Sequence, residues 1–183
     1  MPEPEKPRIL MQICCVGCGA YIIDVLKNDF AQIVLYFYNP NIWPSAEYDK
    51  RLEEAKRIAE KYKYEMIIAD YDHTTWLEMV KGLEKEPEKG KRCTVCYHDR
   101  LEAVAQKAKE LGFDYFGTTL TTSPHKDAER INRIGLELAN KYGIKYLEED
   151  FKKGDGFKKS CQLTKELNLY RQTYCGCEFS FRK

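Results

Sequence analysis

The sequence predicts an α/β chain: a three-layer, doubly wound and mostly parallel sheet of about five strands. Short apolar, β-branched runs alternate with longer stretches of helical periodicity along the chain. The run "QIVLYFY" at residues 32–38 is apolar almost throughout, as in a strand buried on both faces. Cysteines, carboxylates and threonines follow directly after strands, at the sheet edge where such architectures build their sites.

Taken in order, "RILMQIC" (8–14) reads as the first strand and "AYIIDVLKN" (20–28) as the first helix. "QIVLYFY" is the second strand, and "NPNIWPS" breaks it. Ser45 is placed to cap a helix whose stripe is Tyr48, Leu52, Ala55, Ile58 and Tyr62. "YEMIIADYD" (64–72) is the third strand, "TTWLEMVKGL" (74–83) a short helix and "EKEPEKGKR" a charged loop. A long helix runs from Cys93 or Thr94 to Leu111, and Gly112 stops it. "FDYFGTTL" (113–120) is the fourth strand, residues 127–142 a helix ending at Gly143, and "IKYLEED" (144–150) the fifth strand. A last helix at 160–169 precedes a cysteine tail. The layout is Rossmann-like, of the ATP-pyrophosphatase (HUP-like) kind. Neither GxGxxG nor GxxxxGK[ST] occurs, and no Gly-Ser-rich phosphate loop follows the first strand, so no ATP is expected.

A length of 183 residues suits one domain, with 151–183 as its helical, cysteine-containing tail. Net charge is +1, which selects no partner, but its distribution does. Residues 151–183 carry eight Lys or Arg against three acidic residues, and the first 150 carry 22 against 26. A basic tail on a mildly acidic body points to a phosphate-bearing partner; a solvated lysine face gives the same pattern. No stretch approaches the roughly 20 apolar residues of a membrane span, and "MPEPEKPRIL" lacks a signal-peptide core. A cytoplasmic protein without a membrane partner is expected. In that reducing compartment, eight cysteines point to metal binding or catalysis.

Seven of the eight fall in three short motifs. "CCVGC" holds Cys14, Cys15 and Cys18, and its two glycines ease a turn that lets the first two thiols converge. "RCTVCYHDRL" holds Cys93 and Cys96, three apart at a helix start and facing one side. Helix N-termini favour thiolate, and a CxxC pair is half of a zinc or iron–sulfur site. "YCGC" holds Cys175 and Cys177, which share one side of an extended segment. They can bind one metal together, or close a strained, easily reduced disulfide that suits redox exchange. One zinc needs four thiols, so seven are better used by iron–sulfur chemistry with a redox pair. Cys161 stands apart as a core or bystander residue. Asp72, ending a strand, is a candidate oxygen ligand for a second metal, or a helix cap.

The chain resembles the QueH-type epoxyqueuosine reductases. The likeness rests on "CCVGC", "EPEKGKRC" running into "RCTVCYHDRL", "FGTTLTTSPHK" (116–126) and "LYRQTYCGCEFS" (169–180). Family members usually show His two residues before the double cysteine, and Ala-Pro within the motif; here Gln12 and Val16-Gly17 stand there. The resemblance implies reduction of epoxyqueuosine to queuosine at the tRNA wobble position, using a 4Fe-4S cluster and a nearby mononuclear iron, without cobalamin. By motif match Cys14, Cys15, Cys93 and Cys96 hold the cluster, and Cys175 and Cys177 are the redox-active pair. Cys18 and Asp72 are candidates for the second iron, whose Lewis acidity would weaken the epoxide C–O bond. An electron donor of unknown identity is required. The tail's Lys158, Lys159, Arg171, Arg182 and Lys183, with Tyr170 and other rings, are candidates to hold phosphates and stack on an unstacked base. A cluster-dependent tRNA sulfur-insertion enzyme and a non-enzymatic zinc module are the competing readings.

Overall fold

In this computed structural model, which describes residues 5–181, strands and helices alternate. The first half runs β1 (Arg8–Gln12), α1 (Val16–Leu26), β2 (Gln32–Phe37), α2 (Ser45–Tyr62), β3 (Met66–Ile68) and α3 (His73–Met79). The second runs α4 (Lys91–Glu110), β4 (Tyr115–Thr118), α5 (Ala128–Tyr142), β5 (Lys145–Tyr146) and α6 (Gly156–Glu166). The sheet order is β3-β2-β1-β4-β5, and every pairing is parallel. The chain thus starts in the middle of the sheet and winds outward in both directions.

Alternation along β1 makes the two side layers. Leu10 faces one side and packs with Val34, Phe116, Leu101 and Val104 of α4, and Ile131 and Ile134 of α5. Ile9 and Met11 face the other, with Ile33, Leu35, Ile22 and Ile23 of α1, and Ala55 and Ile58 of α2. Each such aliphatic side chain, fully buried, stabilises the fold by ~1.5–3 kcal/mol. On that second face α6 closes on α1 at Gly17, where a Cβ would stand 2.2 Å from Thr164 Oγ1. Glycine inside the first cysteine motif is what permits this approach.

The strand ends are tied together below the future site. Gln12 is fully buried; its Oε1 accepts from Thr118 Oγ1 (2.8 Å), and its Nε2 donates to Asn39 Oδ1 (3.0 Å). Asn39 Nδ2 donates to the Ile13 carbonyl (2.9 Å). One satisfied polar network therefore fixes the carboxyl ends of β1, β2 and β4 relative to each other.

The elements differ from sequence expectation mainly at their ends. The first helix starts at Val16 rather than residue 20, because Cys15, extended at φ −141°, ψ 152°, serves as its N-cap residue. Ser45 is the first residue of α2, and Pro44 stands at the cap position without a side-chain cap bond. The last helix spans 156–166 rather than 160–169, and Asn168 at φ +48° follows its end. The edge strands β3 and β5 shrink to three and two residues, since each pairs on one side only. Among the described residues no helix is long and apolar enough to cross a membrane.

Candidate metal centre

Three segments deliver the thiols to one sheet edge. The chain leaving β1 presents Cys14 and Cys15, and Cys18 lies in the first turn of α1; their exposures are 6%, 8% and 8%. Their side chains are neighbours and act on one another electrostatically. Helix α4 carries Cys93 and Cys96 in its first two turns, with Cys96 buried and Cys93 half-buried. The C-terminal tail brings Cys175 and Cys177 across from the other end of the chain. All eight cysteines are free thiols.

The tail is not the extended segment that its spacing suggested. It bends at residues 173–174 and 176–177 and enters a short 3-10 turn at Glu178–Ser180. Gly176 sits at φ +145°, a conformation L side chains rarely adopt. The two thiols consequently part. Cys175 faces a cavity of about 390 Å³, lined also by Cys14, Cys15, Cys18, Lys126 and Arg171. Cys177 packs with Trp76, Val80 and Cys96. A Cβ on residue 176 would stand 3.1–3.3 Å from Asn41, Ile42 and Arg51. Gly176→Ala is expected to destabilise the protein by ~1–3 kcal/mol, read as a lower urea midpoint and faster alkylation of Cys175.

A buried arginine straps the tail down. Arg51, 1% exposed on α2, donates from Nη1 to the Cys175 carbonyl (2.9 Å) and from Nη2 to the Tyr174 carbonyl (3.1 Å). Its Nε is paired with Glu47 at 2.7 Å, and Glu47 also accepts from the Tyr170 hydroxyl. His73 Nε2 lies 2.9 Å from Glu178 Oε2, an ion pair only when the imidazole is protonated.

Two further cations sit among the sulfurs. Arg100 and Lys126 are 2% and 7% exposed. Lys126 Nζ is 3.4 Å from Cys175 Sγ, and Arg100 Nε donates to the Cys96 carbonyl at 3.3 Å. Arg100 Nη2 is buried and has no hydrogen-bond partner. Neither cation forms a salt bridge with a carboxylate among the described residues. Cys96, Cys14 and Cys175 all act electrostatically on Arg100, and Cys175 and Cys14 on Lys126, so the three thiol motifs share one neighbourhood. Burial works against both positive charges, and the surrounding sulfurs outweigh it, leaving both well protonated.

Five of the thiols, Cys14, Cys15, Cys93, Cys96 and Cys177, are pushed toward the neutral form. The neighbouring Cys15 side chain, then burial, raises Cys14 well above its ordinary value. For Cys15, the Cys14 side chain pulls downward; the Cys18 side chain and burial push it up to about 11. Burial pushes Cys96 up to about 12 and also raises Cys93 and Cys177. Since these folded-state values exceed the unfolded value of 9.0, their contribution to stability is complete below pH 9 and is lost as pH climbs toward 11–12. The metal-free protein is expected to lose roughly 1.4 kcal/mol per pH unit above 9 from Cys96 alone. Melting temperatures measured at pH 8 and pH 10.5 check this, and Cys96→Ser should flatten the difference.

The donor set fits a polynuclear anionic group better than a single ion. Among the described residues, no three His, Cys, Asp or Glu side chains converge to hold one metal ion. Cys14, Cys15, Cys18 and Cys175 line a hollow, and Cys93 packs against the first three, a spread of thiols that suits a cluster in which each thiolate binds a different iron. Two buried cations without carboxylate partners, one with an orphaned N–H group, match the negative charge of such a group.

The remaining predicted residues are dispersed. Asp72 is exposed, does not line the cavity, and caps α3: it accepts from Thr75 N (3.0 Å) and Thr75 Oγ1 (2.6 Å). It is thus not brought together with Cys18. Arg171 lines the cavity with its guanidinium 5.6 Å from the Phe157 ring. Tyr170 lies beneath Lys50 Nζ at 3.7 Å and is tied to Glu47. Lys158 and Lys159 are exposed on α6, and Cys161 is half-buried there. Arg182 and Lys183 lie outside the described residues. Arg51, Arg100 and Lys126 were not singled out from sequence. A signal existed for each: Arg51 interrupts the apolar stripe of α2, Arg100 follows Cys96 by one helical turn, and Lys126 ends the threonine-rich motif.

Comparison with known proteins identifies the family. The family model described as Epoxyqueuosine reductase QueH matches residues 9–183. Proteins named Epoxyqueuosine reductase QueH are similar throughout. The one from Streptococcus pyogenes serotype M1 is 42% identical, covering 97% of this chain and 72% of the relative. That from Staphylococcus epidermidis is 41% identical (99% and 79%), and that from Thermotoga maritima 36% (94% and 89%). Among solved structures, the U34-tRNA thiolase NcsA from Methanococcus maripaludis, with its 4Fe-4S cluster, has a TM-score of 0.60 at 12% identity. The match covers 97% of this chain and 62% of that one. A predicted subunit of tRNA methyltransferase from Methanocaldococcus jannaschii gives 0.60 at 14% identity, covering 87% and 74%. Those two likenesses speak to the doubly wound α/β fold alone. The four cysteine-bearing and threonine-bearing motifs, the family match over nearly all of the chain and relatives of this similarity together lead to one conclusion: the chain belongs to the epoxyqueuosine reductase QueH family.

Proposed function

We propose that this protein is a cytoplasmic oxidoreductase that reduces epoxyqueuosine to queuosine at the wobble position of tRNA, with a 4Fe-4S cluster held by Cys14, Cys15, Cys93 and Cys96. The observation that carries the reading is one cavity lined by Cys14, Cys15, Cys18, Cys175 and Lys126, with Cys93 packed against the group that holds the first three thiols, in a chain of this family. Residues 1–183 act as one domain, and residues 151–183 are the arm that brings Cys175 and Cys177 to the site. A mononuclear iron belongs to the same reading, with Cys18 as its thiol ligand; Asp72, engaged in capping, is not carried forward.

Removing an epoxide oxygen as water and leaving an alkene consumes two electrons and two protons. A cluster bound here supplies single electrons. The chain's own residues do the rest. The cavity receives the modified ring of an unstacked base and excludes bulk water from it. Lys126 holds a proton at Nζ on the cavity wall, where it can donate to the departing oxygen. Cys175 and Cys177 point apart at Gly176; were the turn to bring them together, the dithiol would carry two electrons and two protons that closing to a disulfide releases, and an electron donor would reopen it. Phe157 with Arg171, and the stacked Tyr174–Phe181 pair at 4.3 Å, offer flat faces for neighbouring bases. Lys158 and Lys159 are positioned for phosphates, so tRNA binding should weaken as salt is added.

The deciding experiment purifies the protein anaerobically, measures iron and inorganic sulfide, and follows deoxygenation of epoxyqueuosine-containing tRNA. Colourless, zinc-only protein without this activity would refute the reading. For the dithiol, Cys175→Ser is expected to keep cluster content but lose repeated turnover with a chemical reductant; unchanged product over many turnovers would remove the pair from the electron path.

A further inference from the structure

We propose that Arg100 tunes the redox group of this site, donating its unpaired Nη2–H to the sulfur of the bound cluster and making that cluster easier to reduce. The inference rests on the cluster reading above and assigns a role to a residue that reading leaves idle. Arg100 is on α4, one turn after Cys96, and 2% exposed. Nε is used on the Cys96 carbonyl, whereas Nη2 is buried without a partner. A buried, unpaired N–H group is costly, and a buried cation without an anion costs more. Within the described residues no carboxylate forms a salt bridge with it. The neighbours that act on it are sulfurs: Cys96 from its own helix, Cys14 from the β1 end and Cys175 from the tail, with Tyr97 beside them. Asp99 and Lys126 are the other nearby charges, and Lys126 adds to the positive side.

Without metal the buried Nη2–H has no partner, and no carboxylate salt bridge offsets the guanidinium among the described residues. A thiolate-ligated cluster beside Cys96 would satisfy both its charge and its free donor. Reduction adds one negative charge to the cluster, and a fixed cation with a hydrogen bond to sulfur favours that state. Arg100 is therefore a positioning and tuning residue.

The test uses anaerobic holoprotein of the parent, Arg100→Met and Arg100→Lys, with midpoint potentials read by EPR-monitored titration. Arg100→Met should favour the oxidised cluster about tenfold, a potential lower by about 59 mV for one electron, and Arg100→Lys should recover at least half of this. The metal-free forms should respond oppositely: Arg100→Met removes an uncompensated charge and raises the melting temperature. A structural arginine would lower it. Loaded Arg100→Met with the parent's potential would overturn the proposal while leaving the cluster reading intact. A parent without iron and sulfide would sink both. If Arg100→Met folds but fails to load iron, Arg100→Lys must restore loading; failure to do so also overturns it.

Discussion

Replacing Cys96 with serine should yield a folded protein with little iron and an epoxide-reducing activity lower by ~100-fold or more. Cys96 is 7% exposed, packs with Cys177 and Trp76, and has its thiol pushed up to about 12 by burial. Serine keeps the volume nearly unchanged, so the core around α4 should survive. Its hydroxyl is a harder and far less readily ionised donor than a thiol, so it holds cluster iron much less well. Cys161→Ser, on the half-buried face of α6, is the matched control and should leave iron content unchanged. Iron and sulfide assays with circular dichroism separate loss of loading from loss of fold. Full cluster content in Cys96→Ser would remove this residue from the ligand set.

Arg51→Met should cost about 3–5 kcal/mol, the range for breaking a buried ion pair from one side. Three bonds go at once: those to the Cys175 and Tyr174 carbonyls and the pair with Glu47. Glu47, only 11% exposed at its side chain, then keeps only the hydroxyl of Tyr170 as a hydrogen-bond donor among the described residues. Because the released segment holds Cys175, activity should fall much further than iron content, the proposed cluster thiols lying just after β1 and on α4. Faster alkylation of Cys175 and protease cleavage between residues 169 and 181 would report the freed tail. A variant with the parent's stability and alkylation rate would show that the strap is dispensable.

The sheet was legible because its signals are strong and local. A run such as residues 32–37 has no alternative as a doubly buried strand, and five such runs with intervening periodicity leave few parallel topologies. The thiols were legible by type and spacing. What they do not encode is direction. Spacing put Cys175 and Cys177 on one side of a strand, whereas one positive φ at Gly176 sends one to the cavity and the other toward Trp76. The buried cations were harder still. Lysines and arginines number 30, and only long-range contacts distinguish Arg51, Arg92, Arg100 and Lys126, which lie inside. Asp72 shows the converse, a carboxylate well placed along the chain whose lone pairs are already spent on a helix start.

The wall that Cys175 contributes lies some 160 residues downstream of Cys14. During translation the first two cysteine motifs leave the ribosome long before the last. An emerging chain therefore exposes a half-built, sulfur-rich trough, open on the side that Arg51 will later fasten. If the proposed cluster is bound, its delivery would have a window there, before the final segment swings across.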